Sequence, residues 1–195
     1  MISVLLAAQR DVVSDDDIIA QALMIITAGH QTARDLVGNG IYTLLRHAAS
    51  KRKLQQHPGL IRTTVEEILR YEGPIQAVPR FAKVEFSVYD RTLARTNTLV
   101  FILGAANRDS AHFSDPDIFD ITRKDNSHLG FGAGAHACIG ASIPRVEAQT
   151  GINEMLRHFP NLELATTELQ WRDNFAFRGL VSLPVATGYL ASASP

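Results

Sequence analysis

The chain has 195 residues, 46% hydrophobic and 20% charged, a globular composition long enough to bury one sizeable core. Its formal net charge of −1 offers no basic stripe for nucleic acid or an anionic membrane, so the partner expected is small and uncharged. A single cysteine excludes an internal disulfide and favours a reducing compartment, so the expected location is the cytoplasm.

The opening "MISVLLAAQRD" holds seven apolar residues among its first eight, with no Lys or Arg before them and acids soon after, the wrong charge order for an export signal. Apolar residues then recur at Ile19, Ala22, Leu23 and Ile26, and again at Ala33, Val37, Ile41 and Leu44. This spacing predicts one amphipathic helix from about Asp15 to about Arg46, capped by Ser14 with Asp15, Asp16 and Asp17 set against the helix dipole. The apolar stretch Ile18 to Gly29 carries Gln21 and Thr27 and falls short of the roughly 20 residues that a bilayer span needs. A helix this long, where about 11 or 12 residues is the mean, predicts something large packed alongside. A second helix is expected from near Gly59 to just before Gly73 and Pro74, with Glu67 and Arg70 set among Val65, Ile68 and Leu69.

From Arg80 the period changes to two. Ala82, Val84, Phe86 and Val88 alternate with Phe81, Lys83, Glu85 and Ser87, which predicts one strand, and "TLVFILG", Thr98 to Gly104, predicts another. A weaker strand pair is expected around "RGLVSLPVATG". Between Asn107 and Gly134 the density of Asp, Asn, Ser, Pro and Gly predicts irregular backbone, after which "IPRVEAQTGINEMLRHF" returns to helical spacing. The fold class read from these elements is mainly α with a minor β region.

The stretch "HLGFGAGAHACIG", His128 to Gly140, holds four glycines, two histidines and the only cysteine. Gly130, Gly132 and Ala135 satisfy a loose G-x-G-x-x-A pattern, but a dinucleotide site needs a strand before it inside a βαβ unit, and "RKDNS" reads as loop. Cys138 with His136 is a second candidate, a nucleophile pair, although no orienting group is identifiable. A lone cysteine also has a bland reading as a buried, inert hydrophobe. Structural zinc wants several thiol and imidazole ligands at close spacing, and one cysteine is too few. Haem iron takes four nitrogens from its porphyrin and accepts one axial thiolate, so a single cysteine suffices. Gly132, Gly134 and Gly140 would then let backbone approach sulfur and porphyrin closely. The N-terminus of the following helix would favour the thiolate, and His136 would reach a propionate.

"FGAGAHACIG", Phe131 to Gly140, matches without a gap the F-G-x-G-x-H-x-C-x-G loop of the cytochrome P450 family, the haem-thiolate monooxygenases, in its bacterial soluble form. Further segments resemble that family in the same order: "AGHQTA" (Ala28 to Ala33) its oxygen-activation segment, "EILR" (Glu67 to Arg70) its E-x-x-R, and "GPIQAVPRFA" its propionate-binding segment. "GAANRD" and "FSDPDIFDITRKDNSHLGFG" resemble the stretch leading into the cysteine loop. The resemblance covers essentially all of 1–195 as a single partial domain, the C-terminal portion of the family's fold. That portion holds the long central helix, the E-x-x-R helix, a small sheet, the cysteine-ligand loop and the helix after it.

The resemblance implies haem b (iron protoporphyrin IX) as cofactor and Cys138 as axial ligand to its iron. Phe131, Gly132, Gly134, Gly140 and His136 would line the haem, Arg80 would hold a propionate, and Ala28 and Gly29 would pass over the porphyrin. Glu67, Arg70 and Arg123 would form a structural triad beneath it. Thr32 would steer protons to bound dioxygen. Gln31 stands where the family usually has an acid, and Ala33 where a second threonine is common. Glutamine hydrogen-bonds but does not ionise, so proton delivery at Gln31 departs from the family pattern. The implied activity is oxygenation of a small apolar substrate, with dioxygen and electrons from a ferredoxin-type donor. The alternative is an inactive, truncated relic, or a haem-binding half that needs a second polypeptide for the absent front portion.

Overall fold

The computed structural model describes residues 14–188. The apolar run in "MISVLLAAQRD" lies outside the described residues. Helix α1, Asp15–Arg46, starts at a capping box in which the Ser14 hydroxyl accepts the Asp17 backbone N–H and the Asp17 carboxylate accepts that of Ser14, each at 3.2 Å. It ends at His47, whose backbone N–H and ring Nδ1 both approach the Thr43 carbonyl, at 3.0 and 2.8 Å. Helix α2, Ala48–Gln56, then leaves in a new direction, an element the sequence periodicity does not announce. Only Leu54 of α2 is buried, while Lys51 and Gln55 donate to the carbonyls of Leu162 and Pro160.

Helix α3, Ile61–Tyr71, and helix α5, Ser142–His158, pack against the second half of α1. Leu36, Ile41 and Leu44 of α1 meet Val65, Ile68 and Leu69 of α3 and Ala148, Ile152 and Leu156 of α5 in one apolar core, completed by Leu54, Phe119, Ile121 and Leu162. Gly40 permits the close approach: a Cβ there would lie 2.8 Å from Ile152 Cδ1 and 3.0 Å from Ile68 Cδ1. The first half of α1 is different. Ile19, Leu23, Met24 and Ile26 are 57%, 59%, 56% and 61% exposed, so the large neighbour expected along α1 covers only its later turns.

Buried polar groups tie the C-terminal segment to this core. Asn39 donates to the carbonyls of Glu72 (3.0 Å) and Arg178 (2.9 Å), Asp35 pairs with Arg172, and Glu72 pairs with Arg178. The Arg178 guanidinium also lies 3.7 Å over the Trp171 ring.

Among the described residues, three small antiparallel pairs make up the β region. Strand β1, Ala77–Phe81, pairs with β4, Thr98–Ile102; β2, Phe86–Val88, pairs with β3, Arg91–Leu93; β5, Glu163–Leu164, pairs with β6, Val185–Ala186. The single strand expected from Arg80 through Val88 is thus corrected. At Ala82 the N–H donates to Asn97 and the carbonyl accepts from Thr96, which closes the β1–β4 pair, and the chain bends at 83–84 before a separate hairpin begins. Of the predicted inner face only Ala82 is buried, because no layer covers Val84, Phe86 and Val88. The pair expected within "RGLVSLPVATG" is corrected too: Val185–Ala186 takes Glu163–Leu164, just past α5, as its partner. "TLVFILG" splits into β4 and a one-turn helix α4, Leu103–Ala106. The span 107–133 is irregular apart from turns, as its composition predicts. No helix among the described residues is long and apolar enough to cross a membrane.

Candidate functional site

Phe131 to Gly140 folds as a loop that closes on itself. Gly132 (φ +70°) and Gly134 (φ +73°) occupy the left-handed region that a Cβ disfavours, which explains two of the glycines. The Gly132 N–H donates to Leu129, the Ala137 N–H to Gly134 across the 3₁₀ turn Gly134–His136, and the Cys138 N–H to Phe131 at 2.9 Å. The Ile143 N–H then donates to Gly140 and leads the chain into α5. Cys138 is exposed on this loop, contrary to the reading of a buried hydrophobe. Gly140 has no positive φ, and a Cβ at Gly134 or Gly140 would meet nothing within 4 Å. No strand feeds the loop, which removes the βαβ setting a phosphate loop needs. No hydrogen bond among the described residues joins His136 to Cys138, as a nucleophile pair would require.

Beneath the loop, α3 carries two adjacent carboxylates. Glu67 is fully buried and accepts from Arg70 Nε and Nη2, both at 2.8 Å, from Arg123 Nε at 3.1 Å, from Asn126 at 3.1 Å and from the Asp120 N–H at 2.9 Å. Arg70 spends its remaining donors on the carbonyls of Asn107, Pro116 and Ile118, and Arg123 donates to Ser114, Asp115 and Ile118. A buried ion pair is tolerable only when its remaining donors and acceptors are used in this way. The node therefore gathers the irregular segment 107–126 onto α3.

Glu66 forms a second node that the motifs did not reveal. Arg145 of α5 forks onto both its oxygens, at 2.7 and 2.8 Å, and His128 Nε2 meets the Oε2 atom at 2.9 Å. His128 Nδ1 accepts the Gly130 N–H at 3.0 Å, so the imidazole proton resides on Nε2 and is donated to Glu66. Burial opposes ionisation of Glu66, but hydrogen bonds from Arg145 and His128 outweigh it and lower the carboxyl to about 2. Arg145 also lies 4.3 Å over the Phe131 ring. Its pKa is raised, chiefly by the hydrogen bond to Glu66, with the charge of Cys138 among the smaller causes. A legible signal existed: Arg145 stands near the start of α5, where the dipole disfavours a cation and no acid lies in the first turn, so a carboxylate elsewhere had to face it.

The α1 candidates lie together on one stretch. Thr32 returns its hydroxyl to the Ala28 carbonyl at 2.7 Å, and the helix runs through Gly29 without a break, so no opened turn is present. Ala28 and Gly29 are exposed, Gln31 and Thr32 half-buried. Arg80 is exposed on β1 and donates to its neighbour's carbonyl, that of Pro79, at 2.8 Å. No hydrogen bond or ion pair among the described residues joins these positions to the Cys138 loop.

The donor set fits haem rather than a bare metal ion. The one thiol is exposed on a loop of small residues with open space at Gly134 and Gly140, and no group of three or more His, Cys, Asp or Glu side chains among the described residues forms a cage.

Residues 56–187 match the family model described as Cytochrome P450. The chain is 42% identical over 186 residues to the biotin biosynthesis cytochrome P450 of Bacillus subtilis (strain 168), covering 95% of this chain and 47% of that protein. Its fold superposes with a TM-score of 0.86 on P450BioI in complex with hexadec-9Z-enoic acid ligated acyl carrier protein, at 42% identity, over 89% of this chain and 45% of that one. For a myxobacterial cytochrome P450 in complex with myristic acid the TM-score is 0.92 at 36% identity, over 97% and 48%. The chain spans about half the length of the relatives it matches. With its sequence and its fold both matched on that span, the chain belongs to the cytochrome P450 family.

Proposed function

We propose that the chain is the cysteine-bearing portion of a haem-thiolate monooxygenase that inserts one oxygen atom of dioxygen into a small apolar substrate. The second oxygen atom leaves as water, formed with two protons and with two electrons from a ferredoxin-type donor. The carrying observation is the exposed, self-closed loop that presents the chain's only thiol beside open space. Haem b is the cofactor of the family; when bound it would supply the iron at which dioxygen is activated, and a thiolate ligand would favour O–O cleavage.

Cys138 would supply that thiolate, with Phe131, Gly132, Gly134 and Gly140 forming the backbone around it. Arg80 and His136 would hold the propionates, for which the Arg80 fork suits a carboxylate. Ala28 and Gly29 would help to hold the porphyrin. Thr32 holds a hydroxyl proton at Oγ1 and Gln31 orients water by hydrogen bonds, since its amide does not ionise. Glu67, Arg70 and Arg123 fix the segment that leads into the loop. Relatives described with hexadec-9Z-enoic acid and with myristic acid support an apolar substrate.

A second reading is a haem-binding half that works with another polypeptide. It is favoured by Ile19, Leu23, Met24 and Ile26, which leave an apolar face on α1 uncovered. One experiment separates the two: the hemin-loaded chain receives isotopically labelled dioxygen, a ferredoxin with its reductase, and myristic acid. Labelled hydroxy acid supports the enzyme; haem bound through thiolate without product supports the half; no thiolate-bound haem contradicts both.

A further inference from the structure

We infer that Glu66 is the anchor that sets the shape of the Cys138 loop, with His128 and Arg145 as its two arms, making Arg145 a positioning residue for the thiol. The functional meaning rests on the reading of Cys138 as the axial ligand.

The loop from Leu129 to Ala141 is held at both ends by this one carboxylate. At its start, His128 donates to Glu66 through Nε2 and accepts the Gly130 N–H through Nδ1, at 2.9 and 3.0 Å. At its end, Arg145 forks onto Glu66 and turns Nη1 to the Ala141 carbonyl at 3.2 Å. Between them, the Arg145 guanidinium lies against the Phe131 ring, and the Phe131 carbonyl accepts the Cys138 N–H. The chain of contact runs Glu66, Arg145, Phe131, Cys138. Residues 133–139 are all exposed, so burial contributes little to the loop's shape, which rests on its own backbone hydrogen bonds and on the charged hydrogen bonds that hold its two ends. Glu67, one residue away, grips a different segment and makes no hydrogen bond to Arg145 or His128.

The test is amide hydrogen exchange on the 195-residue chain, read at Cys138 and Gly130, in the wild type and in Arg145→Met, Arg145→Lys and Glu66→Gln. Arg145→Met and Glu66→Gln are expected to speed exchange at Cys138 about tenfold, the scale of losing a charged hydrogen bond. Arg145→Lys recovers part of the protection, because an ammonium reaches Glu66 but neither forks nor stacks flat. The Asp120 amide, held by Glu67, stays at its wild-type rate and reports that the fold is intact. Unchanged exchange at Cys138 in both Arg145→Met and Glu66→Gln overturns the inference. In the hemin-loaded chain the same two variants reduce the red-shifted Soret band of the ferrous carbonyl form. If that band survives Cys138→Ser, the ligand reading fails, and the amide rates still decide the anchor.

Discussion

Glu66 and Glu67 are neighbours on α3, yet they hold different parts of the molecule: Glu66 takes Arg145 and His128 from the two flanks of the cysteine loop, and Glu67 takes Arg70 and Arg123. Successive residues of a helix point about 100° apart, so two adjacent carboxylates address two surfaces. One is buried and the other remains partly in contact with water, and this difference sets how each responds to mutation and to acid.

Glu67→Gln leaves Arg70 buried without a counter-charge and turns one acceptor oxygen into an NH2 donor that faces other donors, which breaks the guanidinium fork. Breaking a buried pair from one side costs about 3 to 5 kcal/mol, a large share of an ordinary domain's stability. Chemical denaturation of the variant is expected to show loss of cooperative folding or a strongly lowered midpoint. A midpoint within experimental error of the wild type would show that the node is dispensable.

Acid should weaken the chain through Glu66. Its folded pKa is lowered to about 2 from the usual 4.5, so between these values the unfolded chain binds more protons than the folded one. The stabilisation is complete above about pH 4.5 and is lost as pH falls towards 2. Discounted for screening of a partly exposed group, it amounts to about 1 to 2 kcal/mol. Denaturation midpoints measured at intervals from pH 6 to pH 2 should therefore fall less steeply in Glu66→Gln than in the wild type. Parallel slopes would contradict this assignment.

Two glycines of α1 should respond in opposite directions. Gly29 has nothing within 4 Å of a new Cβ, so Gly29→Ala is expected to stabilise by up to about 1 kcal/mol through helix propensity. At Gly40 the same methyl meets Ile152 and Ile68, and overpacking of about 1 to 3 kcal/mol exceeds that gain. Thermal melts of the two variants decide the matter, and a stabilised Gly40→Ala would mean that the helices part more easily than their packing indicates.

The sequence carried α1 closely, because its cap, its charges and its 3.6-residue period agree. It carried part of the cysteine loop's backbone too, since Gly132 and Gly134 take the positive φ that glycine permits. Other features were set by tertiary context. Alternation from Ala82 to Val88 had the pattern of a strand but no layer to cover it, and the chain bends at 83–84 instead. The break at His47 depends on a ring nitrogen meeting the Thr43 carbonyl, which no periodicity shows. Glu66 and Arg145 are 79 residues apart, so their pairing emerged only when α3 and α5 came together.

The central claim is that Cys138 is the ligand that receives haem iron. It is tested most directly by loading the chain and its Cys138→Ser variant with hemin, reducing both under carbon monoxide and comparing the Soret bands. With part of α1 uncovered, the wild type is expected to show a weak red-shifted band characteristic of thiolate ligation. Cys138→Ser is expected to show none. A red-shifted band of equal strength in both proteins would contradict the account.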